Sequence, residues 1–256
     1  MQRPVNGGKR PMNRVWTGIR ANVSTFLRTP LNVVLALLLP VVVIEGWGQA
    51  MAGLPTMPTV DAIPIDLGRL LGAIFGVAII AGLMGLAQMI SARAADRRLV
   101  QTGYPPRTLL ATRLATLGGV TVVVAAVNYG VLWLTISPEA PVLTFGFLVL
   151  AGLVYAFLGA LVGALLPRLF EGSLVVVFLA MMDAFLSGDS PLTADVPEFV
   201  EYFPLYHPKE LLQEAMFQGT YTTGDLGFVA GYLLVLLVLV TAVFGMTMRT
   251  SGGWSA

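Results

Sequence analysis

"RLLGAIFGVAIIAGLMGLAQMISARAADRRLVQTGYPPRTLLATR" occupies positions 69–113, and its character changes halfway along. The first half, 69–91, is an apolar run long enough to cross a hydrocarbon core of about 30 Å as a helix. The second half gathers five arginines (Arg93, Arg97, Arg98, Arg107 and Arg113) against a single acid, Asp96. Gly103 is a helix stop, Tyr104-Pro105-Pro106 forces a turn, and "RTLLATRLA" from Arg107 restarts a helix. The stretch therefore predicts a membrane span, a helical extension, a stiff elbow and a second helix.

Outward from this stretch, further apolar runs occupy 30–49, 114–136, 142–166, 172–188 and 226–247. Pro30 opens the first, Pro138 and Pro141 bound a short connector, and Pro167 closes the fourth of the six spans. Hydrophobic residues make up 56% of the 256 positions and charged residues 11%, with mean hydropathy +0.81. A soluble domain carries roughly 25% charged residues. The expectation is an all-α polytopic membrane protein with six transmembrane helices, a single domain over 1–256. Its parts are a basic tail and amphipathic helix at 1–29, a cytoplasmic connector at 92–113 and an external segment at 189–225.

Charge sets the orientation, because lysine and arginine accumulate on the cytoplasmic side. With the N-terminus inside, only Arg69 and Lys209 of the 15 basic residues fall outside, and only Asp96 and Glu171 among the acids fall inside. Both termini are expected in the cytoplasm. Ala50-Met51-Ala52 resembles a signal cleavage site, but the basic region before the first span is far longer than a signal's. In residues 12–28, Met12, Val15, Trp16, Ile19, Val23 and Phe26 share one helical face, with Arg14, Arg20 and Arg28 opposite. Such a helix lies in the interface, and a merely topogenic basic leader would want the same residues.

Several chemistries are excluded early. No cysteine means no disulfide, thiolate metal site or cysteine nucleophile. His207, the only histidine, leaves little room for a zinc site or a Ser-His-Asp triad. A net charge of +1 does not point to nucleic acid.

The order of features is recognisable. A basic amphipathic leader precedes "RTPLNVVLALLLPVVVI", a charged stretch after span two leads into "LVQTGYPPRTLLATRLA", and "FPLYHPKELLQEAMFQG" lies between spans five and six. This resembles the type-2 ABC transporter permeases, the exporter-class membrane subunits. The resemblance rests on Asp96, Arg97, Arg98, Leu99, Thr102, Gly103, Pro105, Arg107, Leu109, Leu110 and Arg113; Asp96 alone stands where the family commonly carries glutamates.

It implies a permease in the plasma membrane that pairs with a second copy or a paralogue and is driven by a separate ATP-binding subunit. ATP and magnesium would sit on that partner, with no cofactor on this chain and no nucleic acid involved. The 92–113 connector would couple the two subunits through Asp96, Arg97, Arg98, Tyr104 and Arg107. The chain has no G-x-x-x-x-G-K-[ST] phosphate loop. Positive-inside anchoring against phospholipid would account for the arginines, though not for the elbow.

Within the spans, Asp183, Asn128 and Gln88 are the candidates for lining a pathway. A carboxylate deep in the membrane normally faces a cavity or a partner. Asp183 has both readings open: a pathway wall, or an acid that is protonated or hydrogen-bonded between helices, for example with Asn128 or Tyr129 of span three. Glu45, near the outer end of span one, is expected to face water. Gly152, Ala156, Ala160 and Ala164 recur every four residues in span four and predict close helix packing, as Gly82 and Gly85 do in span two.

In the external segment, Pro208 starts a short helix that Gly219 stops. His207 with Glu210 or Glu214 is the competing idea of an acid–base pair, but H-P-K-E lacks the H-E-x-x-H spacing of a metal site and a lone histidine after a loop reads as a helix-start residue. An autonomous ion-coupled secondary transporter is the main rival reading; it would want internal repeats and more intramembrane acids. An intramembrane enzyme would want clustered catalytic side chains, and none are visible. A purely structural membrane scaffold also fits the composition.

Overall fold

The computed structural model describes residues 30–53, 63–186 and 198–249. The amphipathic helix expected at 12–28 lies outside them. Among the described residues there is no strand. The helices are α1 (Pro30–Met51), α2 (Pro64–Gln101), α3 (Pro106–Thr135), α4 (Pro141–Leu165), α5 (Leu169–Leu186), α6 (Tyr206–Phe217) and α7 (Thr223–Arg249), with a 3-10 turn at Glu198–Tyr202. Proline opens four of them, at Pro30, Pro64, Pro106 and Pro141. At the first helical position its missing N–H has no intrahelical role to lose, and its fixed φ suits the helix. α2, α3, α4 and the part of α7 from Thr223 to Thr247 are long and apolar enough to cross a membrane.

Each expected span falls on a helix, but α2 and α3 extend well beyond theirs, α3 starting at Pro106 rather than 114. α2 is 38 residues long, about 57 Å at 1.5 Å per residue, and runs past position 91 to Gln101. It is also the centre of the bundle, buried almost without break from Leu67 to Ala78. Two neighbours press against it at glycines, one on α2 itself and one on the neighbour. A Cβ on Gly72 would lie 2.7 Å from the Ile44 Cα of α1, and one on Gly152 of α4 would lie 2.7 Å from a Val77 methyl. A Cβ on Gly159 would overlap the Gly82 carbonyl, and one on Gly85 the Ala156 carbonyl. The small-residue stripes of spans two and four are thus two sides of one intramolecular seam, which lets backbones approach within contact distance.

Glu45 and Arg69 correct one expectation. Rather than facing water alone, the Glu45 carboxylate accepts a forked pair of hydrogen bonds from Arg69, both 3.1 Å, and ties α1 to α2. Away from the seam the surface is oily: Val123 and Leu134 on α3 and Leu234, Val235 and Val238 on α7 are all exposed.

α6 does not lie flat on an end of the bundle. Its last turn meets the start of α4, where the Glu139 and Ala140 amides donate to the Met216 and Ala215 carbonyls (3.0 and 3.1 Å). At its other end the residue before its first turn, Leu205, shares Asp183 Oδ2 with the Tyr155 hydroxyl from the middle of α4. Leu211, Leu212, Ala215 and Met216 are buried in the main core. The helix folds back alongside α4, antiparallel to it.

Candidate functional site

The elbow is built by local rules. α2 ends in a Schellman motif: the Gly103 amide donates to the Val100 carbonyl and the Tyr104 amide to the Leu99 carbonyl, both 3.0 Å. Gly103 takes φ +87°, open to glycine at little cost. Pro105 is extended, and Pro106 begins α3. Side chains then lock the two arms together. Arg113 donates to Asp96 Oδ1 at 2.9 Å, and the Gln88 side-chain amide donates to the Arg113 carbonyl at 3.1 Å. Tyr104 is half-buried against the cluster of Leu109, Leu110, Leu117 and Met89.

The five residues expected at this surface therefore divide. Arg97, Arg98 and Arg107 are exposed, while Asp96 is 1% exposed and turned inward onto Arg113. Asp96 stiffens the elbow and is not presented at its surface. Arg93, which the sequence offered only as one more inside charge, also turns inward. Its Nη2 lies 2.5, 2.9 and 3.2 Å from the Gly163, Leu166 and Ala164 carbonyl oxygens, at the C-terminal end of α4.

The second polar centre is a buried junction. Asp183 is fully buried, and its Oδ2 accepts both the Tyr155 hydroxyl (2.6 Å) and the Leu205 amide (3.1 Å). Oδ1 has no hydrogen-bond partner among the described residues. Asp183 is thus an acid bonded between elements, but neither expected partner holds it. Asn128 is fully buried elsewhere, donating to the Val124 carbonyl at 2.9 Å with its Oδ1 against Gly76 of α2. Tyr129 meets Trp133 and Phe145 edge to face, each with ring centres 5.6 Å apart. Gln88 belongs to the elbow.

The three pathway candidates thus sit in three different places. None of them lines the open apolar groove of about 660 Å³ along α7, bounded by Gly224, Gly227, Phe228, Gly231, Tyr232 and Leu236 among others.

Sequence reasoning missed Tyr155 and Lys209. Tyr155 stands next to the small-residue stripe of span four, and a tyrosine buried there needs a partner for its hydroxyl, which is the available hint. Lys209, expected simply as an outer charge, is 1% exposed, 3.1 Å from Glu210 and over the Tyr206 ring. His207 Nδ1 is 2.6 Å from Asp225, and its ring stacks on Phe228. Glu214 accepts the Thr222 amide and hydroxyl at 2.6 and 2.7 Å, ahead of α7. His207, Glu210 and Glu214 each serve a different contact. No group of three metal-binding side chains occurs among the described residues.

A bundle of apolar helices around a glycine seam, with a charged elbow at one end, is the build of a multi-pass membrane protein. The family model described as ABC-2 family transporter protein matches residues 62–247, and the chain belongs to that family of transport membrane subunits. No curated protein matches the chain well enough to add a relative.

Proposed function

We propose that this chain is the membrane-spanning permease subunit of an ATP-binding-cassette exporter, working as a dimer with a second copy or a paralogue. In this reading all six expected segments cross the plasma membrane, both termini are cytoplasmic, and α6 with the preceding 3-10 turn folds back from the external side. A separate ATPase subunit, carrying ATP and magnesium, docks on the elbow through Arg97, Arg98 and Arg107, with Tyr104 shaping the turn.

One observation carries this reading: a chain of this family holds three exposed arginines on an elbow stiffened by a Schellman cap and the buried Asp96–Arg113 pair. Lipid anchoring needs the charge but not the stiffness. A rigid knob transmits displacement, which a flexible basic loop does not.

The rival reading, an autonomous secondary transporter, would use Asp183 as its ion site. The two donors on Oδ2 give that carboxylate a structural task instead.

The test is affinity purification of the tagged chain from its host in mild detergent. A stoichiometric P-loop ATPase is expected to co-purify with the parent and to be lost from R97E/R98E, which still inserts. An ATPase retained by the double variant sinks the docking surface, and a parent preparation without any ATPase sinks the exporter.

A further inference from the structure

The elbow is connected unevenly to the rest of the bundle. Asp96–Arg113 and Gln88–Arg113 join the two helices that the elbow already links. Arg93 alone among these side chains leaves them, and it goes to α4. The last carbonyls of a helix have no intrahelical donor, and a cation there also complements the helix dipole. Nη2 has two hydrogens for three carbonyl oxygens within 3.2 Å, so the end of α4 is gripped as a unit. A topogenic arginine needs only to reach the headgroups. This one is half-buried and turned toward protein.

Above the clamp, α4 packs backbone to backbone on α2. A Cβ on Gly163 would lie 2.7 Å from the Leu86 carbonyl, and Gly159 is closed by Gly82 one turn further on. Midway, Tyr155 holds Asp183 and, through the same oxygen, the Leu205 amide. At the far end, Glu139 and Ala140 hold the last turn of α6. One helix is therefore fixed to the elbow at one end and to the folded-back α6 at its middle and other end.

We propose that α4 carries movement of the elbow to α6, and that Arg93 is the positioning residue at its input end. The movement itself rests on the exporter reading; the clamp and its hold on α6 do not.

The chain contains no cysteine, so A215C on α6 or A125C on α3 supplies a lone thiol, both at fully buried positions. The rate of maleimide labelling is measured on the purified full-length chain in lipid nanodiscs, without nucleotide or ATPase. R93Q is expected to raise labelling of A215C about fivefold, the order for weakening a charge-assisted hydrogen bond that limits local opening, and to leave A125C unchanged. R93K still donates to the carbonyls and is expected to bring A215C back near the parent rate. An unchanged A215C rate in R93Q overturns the relay. So does an equal rise at A125C, which would make Arg93 a general fold contact, and so does a lysine that restores nothing. Loss or retention of the ATPase in R97E/R98E bears on the docking surface and leaves these rates untouched, so the two readings fail separately.

Discussion

At the elbow, the chain reverses through backbone bonds that join near neighbours, Gly103 to Val100 and Tyr104 to Leu99. At the buried junction, Asp183 draws on Tyr155 and Leu205, 28 and 22 positions away. Both are polar places in an oily chain. The elbow borders exposed arginines that water and phospholipid headgroups can solvate. The junction has only its own partners, since a polar group removed from water must be satisfied inside the protein. Equal numbers of hydrogen bonds should therefore weigh unequally in the two places.

The largest effect should come from the junction. Asp183→Leu strands the Tyr155 hydroxyl and the Leu205 amide together, and about 4 kcal/mol of stability should be lost, at ~1–3 kcal/mol per unsatisfied buried group. Asp183→Asn keeps an acceptor oxygen and should lose about 1 kcal/mol, the net worth of an ordinary hydrogen bond. Thermal unfolding in detergent measures both. A leucine variant that melts with the parent would mean the junction holds nothing together.

The elbow's own buried pair should come next. Asp96→Ala leaves the Arg113 guanidinium, 23% exposed, without its carboxylate. Partial access to water should reduce the cost to about 2 kcal/mol, below the 3–5 of a fully buried broken pair. A loss equal to that of Asp183→Leu would erase the distinction between the two regions.

The smallest effect should fall on the turn itself. Gly103→Ala forces a side chain to φ +87° with nothing nearby to clash, and should cost about 1 kcal/mol from backbone strain alone. ATPase co-purification should survive this change. Its loss there, with stability intact, would show that the shape of the turn matters more than the charges beside it.

Much of this architecture could be read along the chain because helix boundaries depend on close neighbours. The run from Arg69, the stop at Gly103 and the restart at Pro106 each act within a few residues, and they placed the elbow correctly. The glycines of spans two and four announced a close approach, though not that they closed on each other. Asp183 reads in the sequence as an acid in need of a cavity or a partner, but its partners come from α4 and the residue before α6 rather than from α3. Arg93 and Arg98 look alike in the sequence, yet one is clamped inward and the other is exposed.

The sequence by itself determined an all-α membrane chain, the turn at its elbow, the charge of that elbow and its family resemblance. Only the tertiary structure decided that Tyr155 and Leu205 meet at Asp183, that Asn128 faces Gly76, that Asp96 is internal and that α6 folds back along α4. The reason lies in helix geometry. A step of one residue turns a side chain by about 100° around the axis, so which residue faces which neighbour depends on how whole helices are rotated and slid against each other. Hydropathy fixes neither when a helix is apolar on every side, and here the close fit of glycine to carbonyl along α2 and α4 fixed both.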